Sequence, residues 1–253
     1  MMTTGFSFIR CPSARSCLIC PLDSFILRVR ERRPACILTQ PRRATAVPRS
    51  KSSKQWLERH QRDEYVQKAR AEGLRSRAVY KLEQIQQRDH ILAPGQTVLD
   101  LGAAPGGWSE YASRVVGPRG RVLAVDMLPM DAIADVEFLQ GDFTEQQTLD
   151  ELLALLGDHP LDLVLSDMAP NLSGVQSVDQ PKSIYLVELA LDLARRQLQP
   201  GGGFVAKLFQ GEGFDRLVAE LRADFVSVKL RKPAASSSRS SEIYAVCSGL
   251  RQA

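Results

Sequence analysis

Cysteine is nearly missing from most of this 253-residue chain. Cys11, Cys17, Cys20 and Cys36 sit close to its start, and only Cys247 lies beyond them. A long region with one cysteine excludes an internal disulfide framework and fits a reducing cytoplasm. No apolar run approaches the roughly 20 residues that a bilayer-spanning helix needs, so a soluble, cytoplasmic protein with no membrane partner is expected. His60, His90 and His159 show no metal-ligand spacing, and no metal is expected. The GxGxxG spacing of nicotinamide-binding turns is also absent, which weighs against a hydride-transfer enzyme.

Negative charge is scarce in the first fifty residues. They hold nine Arg and no Lys against only Asp23 and Glu31, a balance of +7, so the remaining residues sum to −3 of the overall +4. Overall charge therefore says nothing about the globular part. Residues 1–46 also lack periodicity of either kind, and no Met occurs between Met2 and Met127. Three readings fit this stretch. One is a start placed too far upstream, with Val47 as an alternative first residue. Another is a disordered tail. The last is a targeting or metal-binding segment built on Cys17-Leu-Ile-Cys20. The first is expected, giving a disordered or misassigned extension over 1–46 and one domain over 47–253.

From Gln55 the pattern becomes helical, and a second helix fits 77–86, with Ala78, Leu82 and Ile85 on one face. Strand-like runs at 97–103, 121–126, 136–139, 161–166 and 203–209 then alternate with helical stretches near 108–116, 145–156 and 184–198. Such alternation predicts an α/β fold with a mostly parallel, doubly wound sheet of Rossmann-like type. Runs at 225–230 and 243–247 close the chain as an antiparallel hairpin with a basic, Ser-rich tip.

The first strand runs into Asp100-Leu-Gly-Ala-Ala-Pro-Gly-Gly-Trp108. Strand, glycine-rich turn and helix form the entry to a nucleotide-type site at the carboxyl edge of such a sheet. Asp126 ends the next strand, where it can accept from two ribose hydroxyls. Asp142 ends the third and can accept from an adenine amino group, with Phe143 against the ring. The turn has no cation to hold a pyrophosphate, so the two acids favour S-adenosylmethionine over a dinucleotide.

Five segments, in this order, then resemble the FtsJ-type ribose 2′-O-methyltransferases, a branch of the class I S-adenosylmethionine-dependent enzymes. They are Arg75-Ser-Arg-Ala-Val-Tyr-Lys81, Asp100 to Trp108, Ser166-Asp-Met-Ala-Pro-Asn171, Ala206-Lys-Leu-Phe-Gln-Gly211 and Ser241-Glu-Ile-Tyr244. The resemblance implies a catalytic tetrad of Lys81, Asp167, Lys207 and Glu242. It also implies a cofactor set of Gly102, Gly106, Trp108, Asp126, Asp142, Phe143 and Asp167. A ribose 2′-hydroxyl is a weak nucleophile that must be oriented and deprotonated. Lys207 is the candidate base, provided its surroundings favour the amine, and Asp167 and Glu242 are expected to hold the two lysines.

Between Lys51 and Lys81 nine Lys or Arg face four acids, and the hairpin adds Lys229, Arg231, Lys232 and Arg239. Together they predict a phosphate-binding rim around the catalytic mouth. Only RNA offers the 2′-hydroxyl. The resemblance narrows the target to a uridine of large-subunit ribosomal RNA, methylated on the assembled subunit, and a monomer is the default. A DNA amino-methylating enzyme would need an Asn/Asp-Pro-Pro-aromatic loop, which Asp167-Met-Ala-Pro170 does not supply. A non-catalytic ribosome-assembly factor and a tRNA 2′-O-methyltransferase stand as alternatives.

Overall fold

The computed structural model describes residues 63–171, 173–237 and 239–251. The extension expected over 1–46 and the helical start from Gln55, with Trp56, lie outside the described residues. Two helices come first, α1 (Glu64–Ala71) and α2 (Val79–Asp89). Then follow β1 (Thr97–Leu101), α3 (Gly107–Val116), β2 (Arg121–Asp126), β3 (Val136–Gln140), α4 (Gln146–Leu156) and β4 (Leu161–Ser166). The rest is α5 (Gln176–Gln197), β5 (Leu198–Phe209), α6 (Phe214–Asp224), β6 (Phe225–Arg231) and β7 (Glu242–Leu250). Asp63 starts α1 by accepting from the backbone N–H groups of Tyr65 and Val66, the usual task of an N-cap carboxylate.

The seven strands form one sheet in the order β3-β2-β1-β4-β5-β7-β6. Strands β1 to β5 pair in parallel, whereas β7 runs antiparallel between β5 and β6. The expected α/β, mostly parallel fold with an antiparallel hairpin at its end is the one observed. Period-two alternation sends side chains to two faces. Leu99, Leu123, Val164, Phe204 and Ala245 pack against α4, α5 and α6. Val98, Val122, Leu163, Val205 and Tyr244 pack against α2 and α3. Most apolar strand residues therefore have a helix to cover them on either face, Val226 on the edge strand β6 being exposed. Among the described residues no helix is long and apolar enough to cross a membrane.

The boundaries shift at three informative places. Strand β1 stops at Leu101 rather than 103, because Gly102 turns the chain at φ +77° and its N–H bonds the Val125 carbonyl at 2.9 Å. Helix α5 starts at Gln176 rather than 184 and runs through Pro181. The residues just before that proline anchor it: Asp179 accepts from the Ser173 and Gly174 N–H groups, and Gln180 Nε2 donates to the Phe209 carbonyl at 2.9 Å. Strand β5 starts at Leu198 instead of 203. Leu198 pairs with Leu161 and Gly203 with Leu163, so the Gln-Pro-Gly-Gly segment between them bulges from the ladder instead of ending it.

Candidate active site

The carboxyl ends of β1, β2, β3 and β4 open onto a cleft of about 310 Å³. Gly102, Ala104, Asp126, Asp142, Phe143 and Asp167 line it, with Met127, Leu128, Met168 and Leu186 as apolar walls. A Cβ on Gly102 would stand 2.9 Å from Met168 Cγ, so the backbone there has space for a ligand but none for a side chain. Asp126 Oδ2 accepts from the Ala104 N–H and Oδ1 from the Leu128 N–H, both at 2.8 Å. The carboxylate thus pins the glycine-rich turn to the loop after β2 while keeping lone pairs toward the cleft. Asp142 Oδ1 closes its own turn through the Thr144 N–H at 2.9 Å and hydroxyl at 2.7 Å. Acidic groups above and an aromatic and aliphatic wall beside them match the donor and face pattern of an adenosine.

Two residues of the expected cofactor set do not line this cleft. Gly106 faces away from the cleft, where a Cβ would meet Ile133 and Met130 atoms at 2.6 Å. Its φ of +97° is what starts α3 so tightly. Trp108 is 3% exposed and donates from Nε1 to the Ala78 carbonyl at 2.8 Å. It borders only a small recess beneath the turn, shared with Ser76, Pro105 and Asp167. Both residues shape the turn from behind.

The four tetrad residues come together on the face covered by α2. Lys207 on β5 pairs in register with Tyr244 on β7, so their side chains share that face, as does Glu242 two residues before. Lys81 Nζ lies 2.7 Å from Glu242 Oε1, and Lys207 Nζ lies 2.9 Å from Asp167 Oδ1. Lys207 Nζ also donates to the Asp167 backbone carbonyl. Ser236 Oγ donates to Glu242 Oε1 at 2.7 Å, which ties the connection between β6 and β7 to the cluster. Both lysines are buried, at 8% and 7% exposure, so each ammonium needs the partner it has.

A fifth residue joins the two ion pairs. Tyr244 OH donates to Asp167 Oδ1 at 2.7 Å and accepts from Lys81 Nζ at 3.0 Å. Burial holds its phenol well above its ordinary pKa, and the charges of Asp167 and Glu242 push the same way. It is a neutral bridge. Nothing about a lone tyrosine in a strand marks it as such, although its spacing of two from Glu242 places it on the same face.

Behind the cleft, Asp100 is fully buried. Ser109 Oγ donates to its Oδ2 at 2.6 Å, and its Oδ1 has no hydrogen-bond partner among the described residues. Burial, with Asp167 and Asp126 adding, raises its carboxyl to about 7 despite the Ser109 hydrogen bond. On the outer side, Arg75 clamps two stretches of backbone, the glycine-rich turn and the loop after β2. Its Nη1 donates to the Asp131 and Pro105 carbonyls at 3.0 and 3.4 Å, and its Nη2 to the Ala132 carbonyl at 2.9 Å.

Much of the basic rim is neutralised internally. Arg77 pairs with Asp63, Lys68 with Glu72, and Lys229 and Arg231 with Asp89. Arg70, Arg88 and Arg239 carry no ion pair among the described residues, and Lys232 donates to the Ser240 carbonyl. Charge counting along the sequence includes Asp63 and Glu72 without showing what they pair with, and it leaves out Asp89, which lies beyond the counted stretch.

A family model described as FtsJ-like methyltransferase matches residues 74–250. A Pseudomonas aeruginosa relative named Ribosomal RNA large subunit methyltransferase E is 57% identical over 205 residues, covering 81% of this chain and 99% of its own. A relative of the same name from Xanthomonas oryzae is 58% identical over 203 residues, covering 80% and 97%. Among solved structures, a Plasmodium falciparum protein described as a ribosomal RNA methyltransferase superposes with a TM-score of 0.63 at 27% identity, covering 70% of this chain and 98% of its own.

Proposed function

We propose that this chain, which belongs to the FtsJ-like methyltransferase family, methylates the ribose 2′-hydroxyl of a uridine in large-subunit ribosomal RNA, acting on the assembled subunit. S-adenosylmethionine is the methyl donor, and when bound it supplies a methyl group on a positively charged sulfur. Asp126 and Asp142 would hold its adenosine, with Phe143 beside the ring and Gly102 giving it room.

The observation that carries this reading is the run Glu242–Lys81–Tyr244–Asp167–Lys207, which meets the cofactor cleft at Asp167. Lys81, fixed by Glu242 and Tyr244, orients the 2′-hydroxyl. For this Lys207 must first release a proton to solvent; its neutral Nζ then takes the hydroxyl proton, and the Asp167 carboxylate and carbonyl hold the ammonium that forms again. General-base assistance of this kind contributes about 10²–10⁴ in rate. The protein works as a monomer in the cytoplasm, without metal, DNA or membrane, and its working domain spans 47–253.

The test is tritium transfer from labelled S-adenosylmethionine to hypomethylated large subunits, free ribosomal RNA and tRNA, with intact protein and Lys207→Ala. Label is expected on subunit RNA, lost at least about 100-fold in the variant. Cofactor affinity should stay nearly unchanged, because Lys207 does not line the cleft. Cofactor binding without label on any RNA would replace this reading with a non-catalytic assembly factor. Label on tRNA alone would replace the substrate. Loss of cofactor affinity in Lys207→Ala would move that lysine out of the base role.

A further inference from the structure

Few large apolar side chains stand exposed among the described residues, and three of them, Val175 (53%), Val178 (43%) and Tyr185 (52%), gather at the start of α5. Val178, Lys182 and Tyr185 are spaced four and three apart, so they form one stripe on the helix surface. The opposite face, with Ile184, Val187 and Leu191, is buried in the core. The stripe is therefore outward-facing by construction. No packing requirement explains an aromatic ring there.

This part of α5 is also held rigidly at the reaction site. Asp179 accepts from Ser173 Oγ at 2.8 Å and from the Gly174 N–H at 2.9 Å, which fixes the loop leading from Asp167. Gln180 Nε2 donates to the Phe209 and Glu212 carbonyls at 2.9 and 3.2 Å, which fixes the segment following Lys207. Leu186, the next residue after Tyr185, lines the cofactor cleft together with Asn171. Through Leu186 the stripe adjoins the cleft that Asp167 lines. Lys182 has no carboxylate within ion-pair distance among the described residues, although its charge acts on Asp179 three residues earlier, whereas most cations of the basic rim are ion-paired.

We infer that the outward stripe of α5 is a stacking shelf for an unpaired nucleobase next to the methylated nucleotide, with Tyr185 as the platform, Val178 extending it, and Lys182 contacting a phosphate. This rests on the RNA reading given above. An exposed aromatic beside an exposed cation, next to a site that must hold a single nucleotide out of its helix, is the chemistry that single-stranded RNA binds: the ring stacks on any base and the ammonium meets the backbone. A protein partner would want a broader apolar surface. Here the three apolar groups are interrupted by Gln176, Ser177 and Lys182.

Two readouts test the shelf separately from the reaction. In the first, full-length Tyr185→Ala, Tyr185→Leu, Tyr185→Phe and Tyr185→Trp are assayed on hypomethylated large subunits. Tyr185→Ala is expected to raise KM for subunits about tenfold with KM for S-adenosylmethionine and Tm unchanged, while Phe and Trp stay within about twofold. Lys182→Gln should lower the salt dependence of binding by about one phosphate contact. A wild-type KM in Tyr185→Ala, or rescue by Leu as full as by Trp, would overturn the shelf. In the second, Tyr185→Trp is titrated with a single-stranded RNA oligomer, and fluorescence in excess of that of the unmodified protein is followed. Quenching at saturation is expected and needs no catalysis, so it reads the shelf even if no RNA is methylated. Absence of quenching would refute base stacking. A photoreactive phenylalanine analogue at 185 that cross-links to a ribosomal protein instead of RNA would assign the stripe to a protein contact.

Discussion

Tyr244→Phe removes one oxygen from the centre of the tetrad and leaves everything around it in place. Two hydrogen bonds disappear, the one from Lys81 Nζ at 3.0 Å and the one to Asp167 Oδ1 at 2.7 Å. Hydrogen bonds to charged groups contribute about 1.5–3 kcal/mol each. Neither charge is orphaned, because Lys81 keeps Glu242 at 2.7 Å and Asp167 keeps Lys207 at 2.9 Å. The penalty of about 3–5 kcal/mol for a broken buried pair therefore does not apply. The phenyl ring also keeps its tilted contact with Trp108, at 5.7 Å between centroids, and a buried hydroxyl no longer needs satisfying. The net loss should be about 2–3 kcal/mol of stability, below the roughly 3–6 kcal/mol of the two bonds combined because no buried hydroxyl is left to satisfy. For a domain of this size that lowers Tm by about 4–12 °C. The rate should fall further than stability does at working temperature, because Lys81 and Asp167 are no longer held to one another. Thermal melts, cofactor titration and single-turnover transfer on hypomethylated subunits read the three quantities. Cofactor affinity should not change, since Tyr244 lies outside the cleft. A variant with the Tm and single-turnover rate of the parent would show that the bridge does nothing.

Asp100 makes a pH prediction. Its carboxyl titrates at 3.8 when unperturbed and at about 7 in the folded protein. Between those values the folded state keeps a proton that the unfolded chain has released, so stability falls as pH rises from about 4 to about 7, by up to about 4 kcal/mol. Asp100→Asn should flatten that slope in calorimetry at about pH 5 and about pH 8, and equal slopes in the two proteins would refute the assignment. Arg75→Met should free the Asp131 and Ala132 carbonyls and loosen the loop behind Asp126, raising KM for S-adenosylmethionine about tenfold with a smaller change in kcat. A variant altered in kcat alone would place Arg75 with the tetrad instead.

Strand positions were readable because each apolar run here ends in a polar residue at the same sheet edge: Asp100 into Gly102, Asp126, Gln140 into Asp142, Ser166 into Asp167. That regularity is a consequence of parallel pairing, which lines up carboxyl ends. The acids of the cleft follow from it with no further information. The bulge that lets β5 begin at Leu198 was hidden, since Pro-Gly-Gly reads locally as a break and only pairing with Leu161 reveals otherwise. The early start of α5 was hidden by Pro181, whose missing hydrogen bond is offset by side-chain contacts to distant loops. Tyr244 and the clamp of Arg75 depend on partners 77 and 56 residues away. Local pattern carries no trace of such distances.

Strand β7 is made after β6 yet lies between β6 and β5. Every group that lines the cofactor cleft, from Gly102 to Leu186, precedes both. During synthesis every residue of the cleft lining therefore exists before Glu242 and Tyr244, the two partners of Lys81, are made. The edge of β5 stays open until the late strand slots in, and the same event delivers both residues. Chain order thus supplies the residues proposed for proton transfer after those proposed to hold the cofactor.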